Sequence, residues 1–180
     1  DVFADLSYTD MLDKVKSLGI DAVEMTAGGW GARKHCNTAE LLADEGKRKE
    51  FMAELEKRGI GMIVLAGFMS ILSAEFTDKY DGRIINVHPS LIPSFCGKGY
   101  YGLKVHEAAL AYGVKVTGAT VHYVNSIPDG GKIIAQRAVY IEDGDTPEVL
   151  QKRVMENAEW IILPEACEKV AAKLAEHNNN

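Results

Sequence analysis

The sequence predicts a three-layer α/β domain with a largely parallel sheet. Three observations lead there. Short β-branched runs alternate with amphipathic stretches of helical period along most of the chain. Glycines and prolines close those stretches where helices and strands must stop. One run, Ile84-Ile85-Asn86-Val87-His88-Pro89, is apolar enough for a covered strand and then breaks into polar residues and proline.

The elements follow in order. Val2-Phe3-Ala4 is at most a short strand. Ser7 to Leu18 reads as a helix, with Ser7 as N-cap, Met11, Leu12, Val15 and Leu18 as the apolar stripe, and Gly19 as the stop. A short strand spans 21–25, and a glycine-rich loop with Arg33, Lys34 and His35 spans 26–35. Asn37 and Glu40 form a capping box. Lys47 to Arg58 is an amphipathic helix, Met62 to Phe68 a continuous apolar strand, and Ser73 to Lys79 a short helix. After the strand at 84–88 come a helix from Lys104 to Tyr112 and strands at 116–124 and 132–141 around Asp129-Gly130-Gly131. Thr146-Pro147 opens the last long helix, expected to run to about Pro164 with a further turn or two. The tail His177 to Asn180 reads as disordered or appended.

Composition narrows the function classes. A net charge of −6 argues against nucleic-acid and membrane-surface partners. No apolar run reaches transmembrane length, and no signal peptide is visible, which points to a cytoplasmic protein. Cys36, Cys96 and Cys167 have no metal-ligand spacing and read as free thiols. No motif joins His88, His106 and His122 into a metal site, so none is expected.

The chemistry concentrates at the end of the 84–88 strand. Asn86 and His88 share strand parity and point to one side, where open α/β sheets place ligands. An amide that can donate to an oxyanion lies beside an imidazole that titrates near neutrality. From the pair alone, a hydrogen-bonded structural histidine is the commoner reading. Asp129 alone reads as a turn residue, and Glu159 alone as part of a solvated helix face.

Four linked motifs change that balance: Gly67-Phe68-Met69-Ser70-Ile71-Leu72-Ser73, Asn86-Val87-His88-Pro89-Ser90-Leu91-Ile92-Pro93-Ser94-Phe95, Thr117-Gly118-Ala119-Thr120-Val121-His122-Tyr123-Val124 and Asp129-Gly130-Gly131-Lys132-Ile133-Ile134. In this order they resemble the glycinamide ribonucleotide transformylases (phosphoribosylglycinamide formyltransferases), from about Met62 to about Ala171. The resemblance implies a Rossmann-like formyltransferase fold. It implies formyl transfer from 10-formyltetrahydrofolate to the amine of glycinamide ribonucleotide, without a metal. Asn86 then matches the oxyanion donor, His88 the catalytic imidazole, and Asp129 the carboxylate that pairs with it. That pairing is expected to raise the His88 pKa. His122 is expected to support the site. Phe68, Met69, Ile71 and Leu72 match the folate-binding segment, and Pro89 and Glu159 fall on the substrate side. Ser70 stands where many members carry a basic residue.

The first sixty residues lack the family's Gly-x-Gly-Ser-Asn phosphate loop. Gly19 to Glu24, Gly28-Gly29-Trp30, Lys34 to Asn37 and Leu41 to Arg48 instead resemble early βα units of xylose-isomerase-like TIM barrels of sugar phosphate isomerases. The economical account of both resemblances is an engineered chimera: one domain over 1–180, made of a barrel-like fragment (1–60) and a formyltransferase-like half (61–180). Activity is then expected to be impaired, unless backbone N–H groups at 28–34 with Arg33 or Lys34 replace the phosphate cradle. An uncovered sheet edge is expected to favour a homo-oligomer.

Overall fold

The structure, a computed structural model, describes residues 5–18, 40, 43–59, 61–68 and 72–178. The strand expected at 21–25, the loop at 26–35, the Asn37 cap, Cys36, Met69, Ser70 and Ile71 lie outside the described residues, as does Val2-Phe3-Ala4. The chain divides into two units, residues 1–60 with 68–70, and residues 61–67 with 71–180.

In the first unit, α1 (Tyr8–Ser17) starts where Ser7 accepts a hydrogen bond from the Asp10 amide. Met11, Leu12 and Val15 form its buried stripe, with Leu6 and Tyr8 packed against them. Helix α2 (Glu45–Lys57) follows. Tyr8 stacks on Phe51 with ring centroids 4.7 Å apart, and Arg58 reaches back to Asp13 at 2.6 Å.

The second unit is built on a four-stranded sheet in the order β1 (Ile63–Leu65), β2 (Ile84–His88), β3 (Val116–Tyr123), β4 (Ile133–Tyr140). Helix α3 (Ala74–Lys79) lies between β1 and β2 in sequence, and α4 (Leu103–Tyr112) between β2 and β3. Strand β1 is shorter than the expected 62–68, because its pairing with β2 ends at Leu65↔Asn86 and Gly67 turns the chain at φ +65°. The α/β class stands, but among the described strands only β1 and β2 run parallel. The β3–β4 connection, residues 124–132, is shorter than the roughly dozen residues a parallel crossover needs, so these strands form a hairpin.

Register gives β2 and β3 two distinct faces. Asn86 lies opposite His122 and His88 opposite Thr120. The intervening Ile85, Val87, Ala119 and Val121 enter the apolar core instead. That core is completed by Leu150, Val154, Ala158, Ile162, Ala166 and Val170 from the C-terminal helices.

Those six residues fall at every fourth position through α5 (Pro147–Val154), a π-helical turn (Met155–Glu159) and α6 (Trp160–Asn178). On a regular α-helix a spacing of four advances about 40° beyond a full turn each time, so the stripe would rotate off the sheet. The wide turn underwinds the helix midway and limits that drift. It also disturbs the carbonyl ladder, and the Asn157 carbonyl accepts a 2.7 Å hydrogen bond from Arg137 Nε of β4. Helix α6 is longer than the turn or two expected beyond Pro164; it carries the proline inside and continues through Asn178 into the tail expected to be disordered.

The stripe should dominate the stability of this unit. Leu150→Ala, at a fully buried position, is expected to cost about 2–5 kcal/mol, read as a lower urea midpoint at unchanged m. Tyr112→Ala, at a position 81% exposed, should stay within about 0.5 kcal/mol of the parent.

Candidate active site

Strand β2 ends at His88, and Pro89 prevents the ladder from continuing. Asn86 and His88 lie on the sheet face away from the helical stripe, in register with His122 and Thr120. A register shift between Val121 and His122 leaves one extra residue in β4, beside the hairpin loop. That loop brings Asp129 to the two histidines. Asp129 sits at φ +54°, a conformation aspartate tolerates through local hydrogen bonding. Gly131 has to be glycine, since a Cβ there would lie 1.7 Å from the Tyr123 carbonyl oxygen. The turn reading and the site reading of Asp-Gly-Gly therefore hold together.

Asp129 stands between two buried imidazoles. Its Oδ2 is 3.6 Å from His88 Nδ1, and its Oδ1 is 3.6 Å from His122 Nε2. Oδ2 also accepts a 2.7 Å hydrogen bond from the Gly97 amide. His88 Nε2 is 2.8 Å from the Phe95 carbonyl, which can only accept, so this nitrogen carries the proton. In neutral His88 the Nδ1 lone pair therefore faces Asp129. His122 donates through Nδ1 to the Tyr123 carbonyl at 2.8 Å, leaving Nε2 to accept from Asn86 Nδ2 at 3.2 Å. Asn86 keeps a second N–H for another acceptor.

The electrostatics correct one expectation. Burial lowers the His88 pKa and outweighs the Phe95 carbonyl and Asp129, which both raise it. The net shift is downward, so His88 is largely neutral at pH 7 and any proton it gains goes to Nδ1, facing a carboxylate. For Asp129, burial pulls upward, but the His122 contact, the Gly97 amide and His88 together hold the carboxyl below its usual range. Glu159, half-buried in the π-helical turn, is pushed up to about 7 by burial.

The structure thus brings Asn86, His88 and Asp129 together and adds His122 as the link between Asn86 and Asp129. Among the described residues, no hydrogen bond or ion pair joins Pro89 or Glu159 to this cluster. Phe68 belongs to the first unit and Leu72 to the second, and both are half-buried. The Phe95 carbonyl and Gly97 amide escaped sequence reading because backbone groups leave no residue-type signal. Among the described residues, no group of His, Cys, Asp and Glu could hold a metal ion. Cys96 and Cys167 are free thiols.

His106, on α4, is fully buried with neither ring nitrogen hydrogen-bonded. Burial pushes its pKa down to about 4. A histidine depressed below its unfolded value leaves stability intact above that value and removes it as pH falls toward the folded pKa. The parent should therefore lose up to about 3 kcal/mol between roughly pH 6.5 and pH 4 from this residue alone. Urea unfolding of His106→Leu across that interval should give a flatter profile; parallel profiles would refute the assignment.

Comparison with known proteins places this geometry. The formyl transferase family model matches residues 19–167, reaching into the stretch that resembles a barrel fragment. The chain is 44% identical over 106 residues to the chloroplastic phosphoribosylglycinamide formyltransferase of Arabidopsis thaliana, covering 59% of this chain and 36% of that protein. It thus spans little more than a third of that curated relative. The structure of phosphoribosylglycinamide formyltransferase from Anaplasma phagocytophilum superposes with a TM-score of 0.65 at 33% identity, over 90% of this chain and 69% of that one. A formyltetrahydrofolate deformylase from Pseudomonas syringae pv. tomato superposes with a TM-score of 0.61 at 25% identity, over 93% and 49% respectively. With matching motifs, a matching fold and a family model spanning most of its length, the chain belongs to the formyl transferase family.

Proposed function

We propose that this chain transfers a formyl group from 10-formyltetrahydrofolate to the amine of glycinamide ribonucleotide. The observation that carries the reading is the meeting of Asn86, His88 and Asp129, from two distant segments, around a neutral imidazole paired with a carboxylate. The cosubstrate supplies an activated formyl carbon, and the substrate amine attacks it. Asn86 directs its remaining N–H at the developing oxyanion. His88 takes a proton at Nδ1 as the amine loses it, and Asp129 stabilises the imidazolium at 3.6 Å. As the tetrahedral adduct collapses, the bond between the formyl carbon and the folate nitrogen breaks, that nitrogen takes the proton, and tetrahydrofolate leaves with the formyl group now on the amine. His122 fixes the Asn86 amide from the opposite strand. The resemblance to the transformylases assigns Phe68, Met69, Ile71 and Leu72 to folate binding and Pro89 and Glu159 to substrate binding.

Formyl transfer is tested with the two substrates and variants of the cluster. His88→Ala and Asp129→Asn should each lower kcat by about 10²–10⁴-fold, and Asn86→Ala by about 10²–10³-fold. Formate release that does not depend on the amine would replace transfer with hydrolysis, the activity named for the deformylase neighbour.

A second reading, an engineered chimera without activity, rests on the barrel-like motifs in residues 1–60 and the absent phosphate loop. The family match back to residue 19 counts against a foreign graft. Calorimetry with glycinamide ribonucleotide and a folate analogue separates the readings: the transferase binds both, whereas a chimera that lost its substrate binds the folate alone or neither. Sedimentation at micromolar concentration tests the proposed homo-oligomer.

Glu159 offers a separate check. A carboxyl raised in the fold costs stability as pH climbs from its unfolded value of 4.5 through about 7. Glu159→Gln should stabilise the protein by up to about 3 kcal/mol near pH 8 and by almost nothing near pH 4.5. Thermal or urea unfolding at the two pH values reads the difference. Nucleotide affinity should fall in the same variant.

A further inference from the structure

The loop that holds His88 is itself held by one buried side chain. Thr120 lies opposite His88 in the β2–β3 register and is fully buried. Its hydroxyl donates to the Ser90 carbonyl at 2.7 Å and accepts from the Ile92 amide at 3.1 Å. It also accepts from Gln136 Nε2 at 3.0 Å. One donor and two lone pairs are all a hydroxyl has, so its hydrogen-bonding capacity is fully used. Gln136 Nε2 spends its second N–H on the Ile92 carbonyl at 3.0 Å. From Ser90 the chain of contacts continues. Ser90 Oγ donates to the Ser94 carbonyl at 2.5 Å and approaches the Phe95 carbonyl at 3.4 Å. The Phe95 carbonyl is the acceptor for His88 Nε2.

We propose that Thr120 is a positioning residue for His88, acting through residues 90–95 to place the Phe95 carbonyl that fixes the imidazole's tautomer and angle. The proposal builds on the role given to His88 above. Pinning both the Ser90 carbonyl and the Ile92 amide defines the path of the loop directly after the strand. Phe95, at φ +48°, closes that path in a conformation a free loop would not choose. Without the hydroxyl, the Ser90 carbonyl and the Ile92 N–H lose a buried partner, and the loop must shift to recover one. A shift of even about 1 Å at a reacting group can cost about 10²-fold in rate. Gln136 braces the same hydroxyl from β4, so it contributes in the same direction with smaller effect.

The test pairs kinetics with the imidazole signal. Thr120→Val keeps the β-branched shape and removes only hydrogen bonding. Its kcat should fall about 10–100-fold with KM little changed. In 15N-edited spectra of histidine-labelled protein, the His88 Nε2–H resonance should be downfield and slow to exchange. It should move upfield and exchange faster in Thr120→Val. Thr120→Ser should restore both, because serine has the same donor and acceptors. A folded Thr120→Val with unchanged resonance and kcat would overturn the proposal, as would a parent without a protected His88 Nε2–H. If Thr120→Val does not fold, Gln136→Met decides, with a smaller displacement of the resonance expected and an unchanged one refuting. If the parent shows no formyl transfer, the functional assignment falls while the resonance still decides the positioning role.

Discussion

The pairing register of β2 with β3 is the constraint on which the second unit depends. It sets Asn86 against His122 and His88 against Thr120, and by the same alternation sends Ile85, Val87, Ala119 and Val121 into the core. A slip of one residue would exchange the two faces, burying imidazoles in the apolar stripe and turning the aliphatic residues toward the site. The core therefore enforces the site. Burial at roughly 25 cal/mol per Å² of apolar surface fixes the register far more strongly than the polar contacts could alone.

The helical side of that core carries its own accommodation. Six stripe residues at a spacing of four do not match the 3.6-residue turn, and the π-helical turn at Met155–Glu159 takes up part of the difference. The same turn places Glu159, half-buried, where its carboxyl is raised to about 7. A packing mismatch and an electrostatically unfavourable carboxylate thus occupy one short segment. Arg137 stabilises it by bonding the Asn157 carbonyl.

Burial acts on the site in two directions. It keeps His88 neutral against the pull of Asp129, which leaves the imidazole ready to accept a proton beside a waiting carboxylate. It also leaves His106 without a hydrogen bond and costs stability in acid. Asp129 escapes the same fate because His122, the Gly97 amide and His88 surround its oxygens. Desolvation alone would raise its pKa; with these partners the net shift is downward.

The sequence by itself determined the α/β class and the helix starts at Ser7, Ser73 and Thr146, and its resemblance to the transformylases named Asn86, His88 and Asp129. Caps, β-branched runs and the Asp-Gly-Gly turn are local, and local chemistry is written in residue order. The mixed sheet, the short β1, the π-helical turn and the passage of α6 through Pro164 were decided by tertiary structure. Each depends on packing or pairing with segments far away in sequence. The direction of the His88 shift belongs to the same class, because the neighbouring carboxylate is visible in a motif and the depth of burial is not. So do the Phe95 carbonyl, the Gly97 amide and the full coordination of Thr120, which become contacts only once the loop after β2 folds back on its strand.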